Sequence, residues 1–401
     1  MFSVFSIDGG VCAPKGFYAD GLYAGLKAPG KLDVAFVYSE FNASLASVFT
    51  SNHFCAAPIV HAKSLFQTKG KNGVLPCNFI LVNAKNANAL TGEEGLQNVN
   101  CLMQKINQQF QNLQNPIMAS TGVIGVQLPT DKISSIFNKI NLHKRDGAAA
   151  AQAIMTTDAY SKEIAFEIEC EGKKFRIGAM CKGAGMICPS MATLLCFVTT
   201  DAALPTEDMN ELLSESVEET FNTISVDGDM STNDSVFLMS NGASGFYHKE
   251  AFRFALREVL HKLAIDIARD GEGANKLVAF EVVGAKTNED AKKIARNLSN
   301  SLLVKTAIFG EDPNWGRIAS TIGASGVECS EYSLSIFFDE VCVYERGKIL
   351  FTDECEKKAA EVMQREHIKI ICNLGLGEGR FKAYGCDLGY NYVKINADYR
   401  S

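Results

Sequence analysis

Apolar and polar positions follow two different periods along this chain. Val34 to Tyr38 and Ala46 to Phe49 read as extended segments, and Phe79 to Asn83 is a short apolar run of buried-strand type. The period then changes to three and four. Leu96, Val99, Met103, Ile106 and Phe110 share one helical face, and Thr91 with Glu94 reads as a capping box at its start. Ser120 to Gly125 reads as a strand end or turn that exposes backbone amides. An Ala-rich helix from Ala148 to Met155 precedes a hairpin of Glu163 to Cys170 and Lys173 to Met180, turning at Glu171-Gly172. A strand at Leu194 to Thr200, a helix from Thr206 to Ile224 entered after Pro205, and a strand at Val236 to Met239 follow. Phe252, Leu256, Val259, Leu263 and Ile267 mark a further helix that closes near Gly271.

From about residue 278 the pattern restarts as strand, helix (289 to 303), strand, helix, two strands (333 to 338 and 341 to 350), helix (354 to 365) and closing strands. This predicts a larger domain over 1–277 and a smaller α/β domain over 278–401. Hairpins and helices without a regular strand-helix alternation favour an α+β fold, layered mixed sheets with helices, over a doubly wound parallel sheet. No period of repeat length and no low-complexity segment stands out.

The 401 residues suit two domains, and a hydrophobic content of 47% is ordinary for a globular chain with a sizeable core. A net charge of −7, with no basic stripe, excludes the electrostatic footprint of nucleic-acid or anionic-membrane binding. The start, Met1 to Asp8, lacks a basic leader and meets an acid early, and no stretch approaches the length of a membrane span, so a cytoplasmic enzyme with small-molecule partners is expected. Thirteen cysteines without a C-x-x-C pair read as reduced thiols. The six histidines show no metal spacing, G-x-x-x-x-G-K-[ST] and G-x-S-x-G are absent, and Gly375 to Arg380 puts Arg380 where a dinucleotide fingerprint needs its third glycine. No cofactor and no metal are expected.

One stretch carries chemistry. Lys182 to Leu195 places Thr193 after Ala192, beyond a turn that Gly183 and Gly185 make permissive. If the Ala192–Thr193 bond breaks, Thr193 gains a free α-amine beside its own hydroxyl, so nucleophile and base come from one residue. An α-amine titrates near pH ~7.7–8.0, suited to a base at neutral pH. On these residues alone a Thr within the apolar run Met191 to Val198 is more often a packed strand residue than a nucleophile.

The wider pattern resembles one family. Pro14 to Phe17, Ser120 to Gly125, Ile154 to Asp158, Lys182 to Leu195, Asp270 to Gly273, Asp312 to Arg317 and Ile395 to Ser401 stand in the order of the ornithine acetyltransferase family, also called glutamate N-acetyltransferase, a self-cleaving transacetylase of arginine biosynthesis. The resemblance implies cleavage between Ala192 and Thr193, with Thr193 then carrying acetyl from N-acetylornithine to glutamate through an acetyl-enzyme. Thr121 and Gly122 match the family's oxyanion pair, and Thr156, Lys182, Thr193, Glu272, Asn396 and Ser401 match its substrate contacts. Lys182 is suited to a substrate carboxylate and Glu272 to an ammonium, while the C-terminal tail is expected to return to the active site. The lone Trp, in Asp312 to Arg317, reads as part of a structured turn. The resemblance also implies a heterotetramer of two α chains (1–192) and two β chains (193–401), and leaves acetyl-CoA open as a second donor. Three departures stand out. Lys85 occupies a loop position where the family usually has glycine, Ser401 replaces Thr, and Ala184 and Ser190 replace Ser and Asn before the cleavage point. Two other readings of the residues stay open: a self-processed N-terminal-nucleophile aminopeptidase or amidase, and an uncut small-molecule binding protein.

Overall fold

The computed structural model describes residues 1–188 and 194–398. They divide into two compact units, the first made of residues 1–183, 194–222 and 230–264, the second of 184–188, 223–229 and 265–398. The sequence pattern puts its boundary at 277/278, whereas the second unit begins before that point and also takes in two short earlier segments. A linear reading of periodicity has no signal for such excursions.

The first unit is built on two sheets. Every residue of strands Val34–Ser39 and Phe79–Asn83 is buried, the mark of strands covered on both faces. They form the middle of a four-stranded sheet ordered Phe17–Leu22, Val34–Ser39, Phe79–Asn83, Ile117–Ser120. The last pair is parallel and therefore needs a crossover, which helix Gly92–Gln109 supplies. Val99, Leu102, Met103 and Ile106 of that helix pack with Phe36, Phe79, Leu81 and Met118 on one face of the sheet. The alternate residues Ala35, Val37, Ile80 and Val82 point the other way, onto Met180, Leu195, Phe197 and Phe237 of a second, seven-stranded sheet. Helix Lys249–Arg269 covers the far side of that sheet, with Phe252 against Phe175 and Phe254 against Phe2. The unit is thus a helix–sheet–sheet–helix stack, the layered α+β class expected from the sequence. The predicted hairpin is present with Cys170 opposite Lys173, and Glu171 and Gly172 both at positive φ, as a tight two-residue turn with right-handed strand twist requires.

The second unit holds a six-stranded mixed sheet with Leu277–Ala285 between His367–Asn373 and Gly379–Cys386. Helix Asn288–Asn300 lays Ala291, Ile294, Ala295 and Leu298 on it, and Thr287 caps that helix by accepting the Asp290 N–H at 3.1 Å. Three expectations fail here. The apolar run after residue 303, read as a strand, belongs to helix Leu302–Phe309, and the helix expected to reach 303 ends at Asn300: Ser301 caps the new helix, and only Val304, Lys305, Ala307 and Ile308 are buried, a three-to-four spacing. The turn at Asp312 to Arg317 runs into helix Trp315–Gly323, with the Asn314 side chain accepting the Arg317 N–H and Trp315 stacked on Tyr344. The closing strands are present as His367–Asn373 and Gly379–Cys386, but a helix that was not expected, Tyr390–Ala397, follows them.

One local prediction in the first unit also fails. Thr91 precedes helix Gly92–Gln109, yet its side-chain oxygen accepts no backbone N–H: at φ −105° and ψ 4° its backbone is not in the extended conformation that a capping residue adopts, and its hydroxyl donates to Asn88 Oδ1 at 2.8 Å.

Candidate active site

Thr193 and Ala192, at the expected cleavage point, and Ser401 lie outside the described residues. In the first unit Lys182 ends strand Lys173–Lys182 and pairs with Leu195, which begins strand Leu195–Thr200. Both backbone groups of Leu194 are held: its N–H donates to Asp234 Oδ1 at 2.9 Å and its carbonyl accepts the Ser235 N–H at 3.1 Å.

Lys182 belongs to a buried charge array. Asp158, with no side-chain exposure, accepts Lys162 Nζ and the Gly183 N–H on Oδ1 at 3.0 and 2.7 Å, and the Thr156 N–H on Oδ2 at 2.9 Å. Lys182 Nζ stands 3.9 Å from Oδ2. Burial alone would raise the Asp158 pKa, but Lys182, Lys162 and the two backbone donors override it and hold the carboxyl at about 2. A third cation, Lys27, donates to the carbonyls of Leu32 and Ala153, and burial pushes its pKa down to about 8 against the pull of Asp33 and Asp158. Lys162 is engaged by the Asp158 carboxylate, while the Lys182 ammonium makes no hydrogen bond among the described residues. A buried ammonium in that condition is a ready receptor for a carboxylate. The Thr156 hydroxyl, half-buried, also lacks a hydrogen bond among the described residues.

The predicted oxyanion pair follows strand Ile117–Ser120. The Thr121 N–H is taken by the Asn83 carbonyl at 3.0 Å, so the donor it can offer is the Oγ hydroxyl, which has no partner among the described residues. The Gly122 N–H has none either. Gly122 sits at φ 137°, and a Cβ there would overlap the backbone of Lys85 and Asn86. No other residue fits. The wall it leans on is a loop of asparagines. Ser120 Oγ donates to Asn83 Oδ1 at 2.6 Å, Asn86 accepts the Asn88 N–H at 2.8 Å, and Asn233 Nδ2 donates to the Ala87 and Ser120 carbonyls at 2.6 and 2.8 Å. Lys85, where glycine-like freedom was expected, does adopt the left-handed conformation, at φ 71° with its side chain exposed.

In the second unit Glu272 and Asn396 are brought together. Glu272 Oε2 accepts Asn396 Nδ2 at 2.7 Å, and the Glu272 N–H donates to the Ala184 carbonyl at 2.8 Å. A Cβ on Gly185 would overlap the Glu272 carboxylate, so this glycine serves close approach rather than an unusual φ. Asp227 receives the Met186 and Ile187 N–H groups at 2.7 and 2.9 Å, fixing the start of the cleavage loop. The chain through Asn396 is helical, held by the Asn396 side chain on Glu272.

Sequence reasoning missed Asp158, Lys162, Lys27, Asn233 and Asp234. Asp158 was visible as the one acid in the motif Ile154 to Asp158, and Lys162 follows it at four residues. Asn233 and Asp234 sit in no recognisable local pattern. Outside this region Cys170, Glu171 and His248 bring ligand-type atoms within 4.8 Å of one another, a grouping that no spacing rule predicts. His248 Nδ1, however, accepts the Ala251 N–H at 3.3 Å as a helix cap.

The first unit thus carries, on two stacked sheets, the Thr121 hydroxyl and Gly122 N–H that have no partner among the described residues, together with a buried ammonium, a donor set of the kind acyl transfer uses. The family model described as "ArgJ family" matches residues 18–401, and the chain belongs to that family. It is 62% identical, over the whole of both chains, to the arginine biosynthesis bifunctional protein ArgJ of Wolinella succinogenes. It is 44% identical to the glutamate N-acetyltransferase of Methanocaldococcus jannaschii, covering 98% of this chain and 99% of that one. The solved arginine biosynthesis bifunctional protein argJ of Bacillus halodurans is 41% identical over 50% of this chain and 97% of its own, with a TM-score of 0.48. The protein is an acyltransferase of arginine biosynthesis. Among the described residues no helix is long and apolar enough to cross a membrane.

Proposed function

We propose that the chain cleaves itself between Ala192 and Thr193, and that Thr193 then moves acetyl from N-acetylornithine to glutamate. The Thr193 hydroxyl attacks the acetyl carbonyl while its α-amine takes the proton. The tetrahedral oxygen is met by Thr121 Oγ–H and Gly122 N–H, the ornithine nitrogen leaves with the proton, and an acetyl ester remains. The glutamate amine then attacks that ester and releases Thr193. The observation that carries this reading is the pair of unengaged donors at Thr121 and Gly122, held on a backbone that only glycine permits. Lys182 is assigned to a substrate carboxylate, Glu272 to an ammonium with Asn396 orienting it, Thr156 to a polar contact, and Ser401 to the family's remaining contact. Two copies of each fragment, 1–192 and 193–401, form the proposed assembly, and the cytoplasm is the proposed compartment.

A denaturing gel tests the first half: two bands of similar size from the native sequence, one full-length band from Thr193→Ala. Two bands from that variant would remove Thr193 from the reaction. The second half is tested by mixing N-acetylornithine with glutamate, where N-acetylglutamate with little free acetate is expected. Free acetate as the main product would make the protein a hydrolase, the aminopeptidase or amidase alternative. The Wolinella relative carries the name "bifunctional", which supports a second activity here. Glutamate acetylation with acetyl-CoA as the only donor is its assay.

A further inference from the structure

Asp234 is an ionisable group that the proposed transfer chemistry leaves without a role. It is fully buried, at 1% exposure, on the residue that leads into strand Ser235–Ser240. Its Oδ1 accepts the N–H of Leu194, and its Oδ2 is buried with no hydrogen-bond partner among the described residues. A buried carboxyl oxygen without a hydrogen bond is unfavourable by at least about 1–3 kcal/mol, and such atoms are rare unless they have work in another state of the molecule. The Leu194 nitrogen is bonded to the Thr193 carbonyl carbon, so the clamp sits on the peptide that joins the nucleophile to its strand.

The preceding residue adds a second observation. Asn233 Nδ2 donates to the Ser120 carbonyl, one residue before Thr121. Neighbouring side chains at 233 and 234 therefore tie down the strand end that carries the oxyanion donors and the chain that carries the nucleophile. The transfer reaction has its own base, the Thr193 α-amine, but that amine does not exist until the Ala192–Thr193 bond is broken. The first cleavage needs a proton acceptor from elsewhere.

We infer that Asp234 supplies it: Oδ1 holds Leu194 in place, and Oδ2 takes the Thr193 hydroxyl proton in the self-cleavage step. The Thr193 oxygen bonds to the Ala192 carbonyl carbon, the Ala192–Thr193 carbon–nitrogen bond breaks, and the proton passes from Oδ2 to the departing nitrogen, which becomes the free α-amine. Water then hydrolyses the resulting ester, leaving the Ala192 carboxylate and the regenerated hydroxyl. Burial raises the Asp234 pKa well above the usual carboxylate range, against the Leu194 N–H, Lys182 and Ser231, which makes its carboxylate a stronger base than an exposed one.

The inference rests on the proposed cleavage, and the test separates the two. The full-length chain, Thr193→Ala, Asp234→Asn and Asp234→Glu are made by cell-free synthesis, and conversion to two fragments is followed on gels. The native chain cleaves and Thr193→Ala does not; an uncut native chain sinks both ideas. Asp234→Asn keeps an acceptor for Leu194 but cannot carry the proton, so its cleavage slows by about 10²–10⁴-fold. Asp234→Glu keeps a carboxyl and recovers at least about tenfold over Asn, within that same range for proton transfer. A thermal melt of each variant confirms folding. Native cleavage with Asp234→Asn within about threefold of it, or a Glu variant no faster than Asn, would overturn the role of Asp234 while leaving the cleavage reading intact.

Discussion

Lys162 Nζ lies 3.0 Å from Asp158 Oδ1 with neither side chain exposed to solvent. A buried pair of this kind is a poor source of net stability, but removing one partner is severe because the other charge stays behind. Here the asymmetry is sharper, since Asp158 also answers Lys182 and the N–H groups of Thr156 and Gly183. Asp158→Asn is expected to lower stability by about 3–5 kcal/mol in urea unfolding. A loss under about 1 kcal/mol would show that the lysines do not depend on it.

The same carboxyl sets an acid window. Its folded pKa, about 2, lies below the ordinary aspartate value of 3.8, so the folded state binds its proton less readily than the unfolded chain. The stabilisation is therefore complete above the unfolded value and is lost as pH falls from about 4 toward 2. A shift of this size corresponds to about 2–3 kcal/mol. Unfolding free energy measured across that window should fall more steeply for the native chain than for Asp158→Asn, which lacks the titrating group. Parallel curves would remove Asp158 as the cause.

Lys85 gives a prediction of the opposite sign. Its φ of 71° is unfavourable for any residue with a Cβ, and its exposed side chain has little packing to lose. Lys85→Gly removes strain of about 1–2 kcal/mol and adds unfolded-chain entropy of about 0.5–1 kcal/mol, for a net gain of about 0.5–1 kcal/mol. A chemical denaturation midpoint that stays put or falls would contradict this. Gly122→Ala is the converse test of the same loop, because its Cβ would overlap Lys85 and Asn86. It should abolish transfer activity and lower the melting temperature.

Much of the fold was legible because burial writes itself into local periodicity. Phe79 to Asn83 appears as a strand with the predicted limits, and the turn at Glu171-Gly172 could be read from residue type alone. The run after residue 303 was misread because a short apolar run has no period of its own, and only the burial of Val304, Ala307 and Ile308 reveals a helix. The site was legible by a different route. Thr121, Gly122, Lys182 and Glu272 were reached through motif order, since nothing in their local physics marks them as chemical. Asp158 and Lys162 stand four residues apart and could have been read from that spacing, whereas Asn233 and Asp234 escaped because their roles come from long-range convergence: Asn233 meets Ser120 across more than a hundred residues, and Asp234 meets Leu194 across forty.

Lys182 should divide binding from chemistry. Its ammonium is buried, paired at 3.9 Å with Asp158 but without a hydrogen bond among the described residues, so a substrate carboxylate would add the direct bond that Asp158 does not make. Lys182→Met keeps most of the stem and removes the charge. The loss of a buried charge-assisted contact is about 2–5 kcal/mol, so kcat/KM for N-acetylornithine should fall by about 30- to 5,000-fold, mostly through KM. A change confined to kcat would place Lys182 on the transition state rather than on the substrate carboxylate.

Thr121→Val tests the oxyanion assignment with little disturbance of the fold. Valine keeps the branched shape and the backbone N–H that Asn83 accepts, and it removes only the hydroxyl that has no partner among the described residues. Stability should therefore move by no more than about 0.5 kcal/mol, the range of substitutions that touch nothing structural. If the hydroxyl meets the tetrahedral oxygen, kcat should fall by about 10²–10³-fold while KM stays nearly constant, because the bond forms in the transition state and not with the ground-state carbonyl. The proposed self-cleavage passes through a similar tetrahedral centre at Ala192, so the appearance of two fragments should slow in the same variant. A kcat within about threefold of the native value would leave the Gly122 N–H as the one donor that matters and take Thr121 out of the oxyanion pair.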